Sequence, residues 1–208
     1  LDRGGLVGED GATHHGAFDL AYFGCIPNLT VASPLDEREL RNLLYTALQS
    51  GVPFVVRYPR GKGEGAAWRD EAFERLPIGR GRRLTEGDDM AVLTIGPVGN
   101  VAARAVKRAA AEGVSAAHYD LRFARPLDEE LLDEVGRRFE RVVTVEDGVV
   151  RGGVGSTVRV FFDRRGYRTQ VRSLGIPDDR FVEHGTPAEL YAQCGFDEEG
   201  ILRAILER

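Results

Sequence analysis

The chain has 208 residues, of which 42% are hydrophobic and 29% charged, and a formal net charge of −5. That length fits one large domain or two modest ones, and the composition is ordinary for a globular protein with a buried core. No apolar run approaches the roughly 20 residues that a membrane-spanning helix needs, so no membrane partner is expected, and the acidic balance argues against a nucleic-acid partner.

Arg80, Arg82 and Arg83 cluster, but carboxylates are interspersed around them. The opening Leu1-Asp2-Arg3-Gly4-Gly5 has no initiator Met and no signal- or transit-peptide character, so translation is expected to begin elsewhere. Cys25 and Cys194 are far apart and match neither a disulfide framework nor a metal site. They are expected to be reduced, buried thiols in a cytoplasmic protein.

In chain order, residues 29–34 are predicted as a short strand ending in a turn. Asp36-Glu37-Arg38-Glu39 opens a helix with its acidic groups in the first turn, where the helix dipole favours them. Leu40, Leu43, Leu44, Ala47 and Leu48 recur at helical spacing as its buried face, and Gly51 is suited to end it. Residues 53–58 return as a strand stopped by Pro59. Residues 63–82 read as a linker, since Gly61-Lys62-Gly63-Glu64-Gly65 is flexible and the following stretch is charged and aperiodic. Residues 90–95 form an uninterrupted apolar strand, as expected inside a parallel sheet. Helices follow at 98–112, 128–138, 153–165 and 198–207, with strands at 116–120, 141–145 and 168–174. The alternation predicts an α/β domain with a mostly parallel, doubly wound sheet over residues 83–208.

Three segments carry candidate chemistry. Gly8-Glu9-Asp10-Gly11-Ala12-Thr13-His14-His15-Gly16-Ala17-Phe18-Asp19 gathers acidic, hydroxyl and imidazole groups among glycines, which let a backbone approach a ligand closely. Imidazole suits proton transfer near neutral pH. Adjacent His14 and His15 also suit a polar turn, and either ring could be tied to a backbone carbonyl. Arg57-Tyr58-Pro59-Arg60-Gly61 closes a predicted strand, where ligands gather in open α/β sheets, and guanidinium groups suit a phosphate monoester. The competing reading is a solvated arginine pair at a domain exit. Finally, Val145-Glu146-Asp147-Gly148 leads through Arg151-Gly152-Gly153-Val154-Gly155-Ser156 into a helix. Such a turn can cradle phosphate, but this one matches neither a Walker A loop nor a dinucleotide fingerprint. A tight structural turn is the preferred reading.

Several of these stretches together resemble the 1-deoxy-D-xylulose-5-phosphate synthase family of transketolase-like enzymes. They are Asp2-Arg3-Gly4-Gly5, Asp10 to Asp19, Cys25-Ile26-Pro27-Asn28, Ser33-Pro34-Leu35-Asp36-Glu37 and Arg57 to Gly61. Leu76-Pro77-Ile78-Gly79, Asp120-Leu121-Arg122-Phe123, Arg125-Pro126-Leu127-Asp128, Leu174-Gly175-Ile176-Pro177-Asp178 and His184-Gly185-Thr186 extend the match along the whole chain. The resemblance implies that residues 1–62 are the carboxy-terminal part of a pyrimidine-binding domain and residues 83–208 a transketolase C-terminal-like domain. It implies a transferase that condenses pyruvate with D-glyceraldehyde 3-phosphate, with loss of CO2, for isoprenoid, thiamine and pyridoxal synthesis. Thiamine diphosphate and Mg²⁺ are implied as cofactors, a homodimer as the assembly, and an upstream part of the same enzyme as the bearer of the metal ligands.

Carried over by motif, Arg3 and Arg60 are implied to grip the substrate phosphate and Asp10 to meet the sugar hydroxyls. His14, directly after Thr13, is implied as the catalytic histidine. Gly4 stands where Ala is usual, expected to be a mild packing change, and Gly24 where Arg is usual. Two rivals remain: a β-subunit-like piece of a 2-oxoacid dehydrogenase, and a non-catalytic dimerisation module.

Overall fold

A computed structural model describes residues 1–207. The first part of the chain runs α1 (Asp19–Gly24), β1 (Thr30–Ala32), α2 (Glu37–Ser50) and β2 (Phe54–Val56). Then come β3 (Arg82–Thr85), β4 (Met90–Ile95), α3 (Val98–Ala111), β5 (Ala116–Asp120), β6 (Phe123–Arg125), α4 (Glu129–Arg138) and β7 (Arg141–Val149). The chain closes with α5 (Val154–Arg165), β8 (Gln170–Ile176), α6 (Pro187–Cys194) and α7 (Glu198–Leu206).

All six residues of β4 are buried because helices cover both faces of its sheet. The strand order is β3-β5-β4-β7-β8, parallel throughout except for the antiparallel edge strand β3. On one face α3 and α7 pack through Val98, Ala102, Val106, Ile201 and Ile205. On the other, α4 and α5 pack through Leu132, Val135, Val158 and Phe162. This is the doubly wound α/β arrangement expected from the strand-helix alternation.

Local chemistry sets the helix starts. Asp36, Asp128 and Asp197 accept hydrogen bonds from the backbone N–H of Glu39, Leu131 and Gly200 and so cap α2, α4 and α7. Asp128 also accepts from Gly81 N at 3.0 Å, tying the approach to β3 onto α4. Asp128→Ala is therefore expected to cost about 2 kcal/mol by urea unfolding, more than a cap alone; a loss under about 0.5 kcal/mol would show that the Gly81 tie contributes nothing.

Of the four elements missing from the predicted set, α1, β3, β6 and α6, two have instructive explanations. The α6 start is a capping box, Thr186 with Glu189, behind which Pro187 opens the helix. That signal was readable. The Arg-Arg-Leu-Thr of β3 has no strand pattern, and the segment is a strand only because β5 offers it an edge.

A second, smaller sheet has the order β2-β1-β6. Its third strand comes from the later half of the chain and pairs antiparallel with β1. Ala32, Leu43, Val56, Leu76 and Phe123 pack together around it. The two halves thus share a sheet and a core cluster.

The helical spacing of α2 places its buried side only in part: Leu43 is buried and Leu40 and Ala47 pack against the same cluster, but Leu44 and Leu48 do not. Its other buried residues are Glu39, Asn42 and Thr46, while Leu44 is exposed and Leu48 is 85% exposed. Glu39 is buried against the Leu35 N–H, Arg82 and Arg122, and Asn42 and Thr46 against the segment that follows β2. Residues 63–81 form no helix or strand, yet α2 straps them down. Glu37 accepts from Gly65 N at 2.8 Å, Arg38 Nε donates to the Ala67 carbonyl at 3.1 Å, and Arg41 donates to the carbonyls of Trp68, Glu71 and Ala72. Thr46 Oγ1 accepts from Leu76 N at 2.8 Å. Asn42 and Thr46 are buried because they satisfy the backbone of an irregular segment, accepting from Glu74 N and Leu76 N. A further correction concerns the thiols: Cys25 is exposed, at the end of α1, where its Sγ donates to the Tyr22 carbonyl.

Candidate functional site

Residues 1–4 run beside the end of β2. The Leu1 amino group donates to the Val56 carbonyl at 2.8 Å, Tyr58 N to the Leu1 carbonyl at 3.1 Å, and Gly4 N to the Tyr58 carbonyl at 2.9 Å. This pairing places Arg3 alongside the Arg57–Arg60 exit. Gly5 and Gly16 then exchange N–H···O bonds of 3.1 and 2.8 Å, closing a loop that carries Asp10, Thr13, His14 and His15. Gly5 has a φ of +77°, and the Asp147 carboxylate occupies the space a side chain would need, so only glycine fits.

The loop brings two of the four candidate residues into direct contact: the Arg60 guanidinium pairs with the Asp10 carboxylate, both solvent-accessible. Arg3 is held at a left-handed φ of 61°, a conformation that costs a non-glycine residue about 1–2 kcal/mol. Its nearest carboxylate, Asp2, is 3.7 Å away, and its Nε is buried without a hydrogen-bond partner.

The adjacent histidines have different roles. His14 is exposed, with its Nδ1 2.9 Å from Thr13 Oγ1. His15 is engaged at both ring nitrogens: Nδ1 accepts from Val7 N at 3.1 Å and Nε2 lies 3.2 Å from the Glu183 carbonyl.

Arg57 is not the solvated partner of Arg60 that its sequence position allowed. It is 1% exposed, and its Nε donates to Asp19 at 2.8 Å while Nη1 donates to Asp147 at 2.5 Å. Nη2 donates to the Gly16 and Asp147 carbonyls. The cation therefore joins β2, the closed loop, α1 and β7. Burial works against its charge, but the Asp147 and Asp19 carboxylates outweigh that and hold its pKa above the ordinary value. Asp19 is pushed up, burial prevailing over the pairing with Arg57.

Gly4 is more constrained than a mild packing position, because an added Cβ would sit 2.8 Å from Cγ of this immobilised Arg57. Gly24 has open space around it; its carbonyl accepts from Arg125 at 2.9 Å, and it borders a cavity of about 360 Å³. None of the four candidate residues lines that cavity.

The glycine-rich turn before α5 is structural, as preferred. Glu146 accepts from Val154 N and Gly155 N, both at 2.9 Å, so the chain's own carboxylate fills the place a phosphate would take. Burial nevertheless pushes Glu146 up to about 7. The clustered arginines are likewise spoken for: Arg80 pairs with Asp128 and Glu130, Arg82 with Glu39 and Asp120, and Arg83 with Glu86 and Glu134.

Comparison with known proteins agrees with this architecture. The transketolase pyrimidine-binding domain model matches residues 1–64 and the transketolase C-terminal domain model matches residues 79–201, and the chain belongs to the transketolase family. Among curated relatives, the 1-deoxy-D-xylulose-5-phosphate synthase of Bacteroides fragilis is 56% identical over 99% of this chain and 32% of its own length. The synthase of that name from Porphyromonas gingivalis is 51% identical over 100% of this chain and 32% of its own length, and the one from Aquifex aeolicus is 45% identical over 99% and 32%. The chain thus spans about a third of the length of the curated relatives it matches. A solved structure described as a split gene transketolase, inactive beta4 tetramer, is 29% identical with a TM-score of 0.79, covering 93% of this chain and 61% of that one.

Proposed function

We propose that this chain forms the acceptor-phosphate side of a 1-deoxy-D-xylulose-5-phosphate synthase active site, in an enzyme that condenses pyruvate with D-glyceraldehyde 3-phosphate and releases CO2. The observation that carries the reading is the placement of partly exposed Arg3, backbone-paired beside Tyr58, next to the exit that presents Arg60 paired to Asp10. Two guanidinium groups on adjoining segments suit the oxygens of a dianionic phosphate. Asp10 holds Arg60 and offers its second carboxylate oxygen to a sugar hydroxyl. His14, exposed beside Thr13, is the group that holds or moves a proton at Nε2 near the substrate carbonyl. His15 does not compete for that role, since both its ring nitrogens are occupied. That the relatives matched over the chain's whole length carry the synthase name favours this reading over a 2-oxoacid dehydrogenase subunit or a dimerisation module.

Thiamine diphosphate, when bound, supplies the carbanion stabilisation that decarboxylation of pyruvate requires. The described residues do not by themselves make a site for it. Among them no group of three His, Cys, Asp or Glu could hold a metal ion, and the buried carboxylates Asp19, Asp147 and Glu146 are bound to the chain's own guanidinium and amide groups. The reading therefore assigns the cofactor and Mg²⁺ to an upstream part of the protein, within a cytoplasmic homodimer. Among the described residues no helix is long and apolar enough to cross a membrane.

The test is steady-state kinetics of the complete enzyme. Arg60→Ala or Arg3→Ala is expected to raise the apparent KM for D-glyceraldehyde 3-phosphate about 10- to 100-fold, the worth of one or two charge-assisted hydrogen bonds. The KM for pyruvate should stay near its original value. An unchanged acceptor KM in both variants removes the assignment.

A further inference from the structure

We propose that His15 is a positioning residue for the acceptor site: as a neutral imidazole it clamps the closed Gly5–Gly16 loop onto the segment that precedes α6. The inference rests on the acceptor reading above and names a residue which that reading does not use.

The ring's protonation follows from its neighbours. Nδ1 receives the Val7 N–H at 3.1 Å, so it carries no proton of its own. The proton of a neutral ring then sits on Nε2, where it is donated to the Glu183 carbonyl at 3.2 Å. One tautomer satisfies both bonds, and a doubly protonated ring cannot accept from Val7. One bond holds the start of the loop and the other crosses 168 residues of sequence to the second half of the chain.

The rest of the loop's contact with that segment gives little directional hold. Gly185 N reaches the Gly8 carbonyl at 3.4 Å, and Gly11 packs against His184 at a point where a Cβ would lie 3.3 Å from the His184 Cβ. Gly8 and Gly11, on either side of Asp10, are in left-handed conformations with φ of 84° and 71°. A glycine-hinged loop of this kind has several accessible backbone shapes. Its base is closed by the Gly5–Gly16 pair, and His15, next to Gly16, ties that base both to Val7 and across to Glu183. Asp10, which holds Arg60, and His14, which immediately precedes His15, inherit their positions from that clamp.

Two variants separate positioning from mere folding. His15→Ala removes both bonds, whereas His15→Gln keeps one acceptor and one donor on a single planar group. Amide hydrogen exchange is measured on this chain, and kinetics on the complete enzyme. In His15→Ala, exchange at Val7 and across residues 8–16 should accelerate about tenfold or more while β4 and β7 keep their protection. The KM for D-glyceraldehyde 3-phosphate should rise about tenfold with the KM for pyruvate unmoved, as expected when a binding loop loses its alignment. His15→Gln should restore both quantities to within about threefold.

Unchanged exchange in His15→Ala overturns the clamp whatever the kinetics show. A His15→Gln variant that protects Val7 yet leaves acceptor KM as poor as His15→Ala overturns the link to the acceptor site. Accelerated exchange with unmoved acceptor KM overturns the link to the acceptor site. If Arg60→Ala is silent as well, the fault lies with the acceptor reading itself.

Discussion

Arg57→Met is expected to destabilise the chain by about 3–5 kcal/mol, the loss typical when one member of a buried ion cluster is removed. The methionine replaces much of the apolar stem but none of the four hydrogen bonds to Asp19, Asp147 and the Gly16 carbonyl. Two carboxylates, each under 5% exposed, are left without their cation, and one oxygen of each is already unpartnered. The loss should grow as pH rises. Burial already holds the Asp19 carboxyl above the ordinary range, and a carboxyl with a raised folded-state pKa binds its proton more tightly when folded, so its contribution to stability falls with increasing pH. Without Arg57 that rise is larger, and the variant should recover stability on acidification from pH 8 to about 5.5 relative to the parent. Urea unfolding at both pH values measures this. The triple variant Arg57→Met, Asp19→Asn, Asp147→Asn should regain a large share of the loss, because the stranded charges go with the cation. A loss below about 1 kcal/mol for Arg57→Met alone would mean the cluster contributes no net stability.

The second large effect concerns a histidine outside the candidate site. His118 lies fully buried in β5, its Nε2 2.9 Å from Thr94 Oγ1 and its Nδ1 without a partner. Burial pushes its pKa down to about 4 from the ordinary 6.5. Between those values the unfolded chain binds more protons than the folded one, so this group's contribution to stability is lost as pH falls through the window. At 1.36 kcal/mol per unit the loss reaches about 3 kcal/mol by pH 4. Glu146, pushed up to about 7, and Asp120, raised by burial and then by neighbouring Glu39, act in the opposite direction over much of the same range. The parent protein's own pH curve therefore mixes opposing contributions. Comparison with His118→Gln isolates the histidine. The variant should be less stable than the parent at pH 7 by about 1 kcal/mol, from imperfect replacement of the Thr94 bond. It should overtake the parent by pH 4.5. Parallel stability curves for the two proteins would rule out a buried neutral imidazole at this position.

Much of the candidate site was readable before any coordinates. Asp10, His14, Arg3 and Arg60 stand in motifs whose order along the chain is distinctive, and the pairing of residues 1–4 with the end of β2 sets Arg3 beside the Arg60 exit. What the motif could not separate was Arg57 from Arg60, three residues apart. One becomes a fully buried interdomain cation and the other an exposed one, because Asp147, 90 residues further on, arrives beside the first. The motif favoured His14 over His15 by its place after Thr13, but the physical reason, a carbonyl at residue 183 that engages His15, is long-range.

The sequence by itself determined the elements whose signals are local. The β4 apolar run, the aspartate caps of α2, α4 and α7, the glycine that ends α2, and the strand-helix alternation all depend on neighbours within a few residues. Only the tertiary structure decided the rest. It recruited Phe123–Arg125 into the sheet of the other half, made a strand of Arg82–Thr85, and buried Glu39, Asn42 and Thr46 of α2 in place of Leu44 and Leu48. In each case a backbone or charge brought close by folding, from far away in sequence, supplied the partner. An unpaired polar group costs more when buried than an exposed leucine does in water.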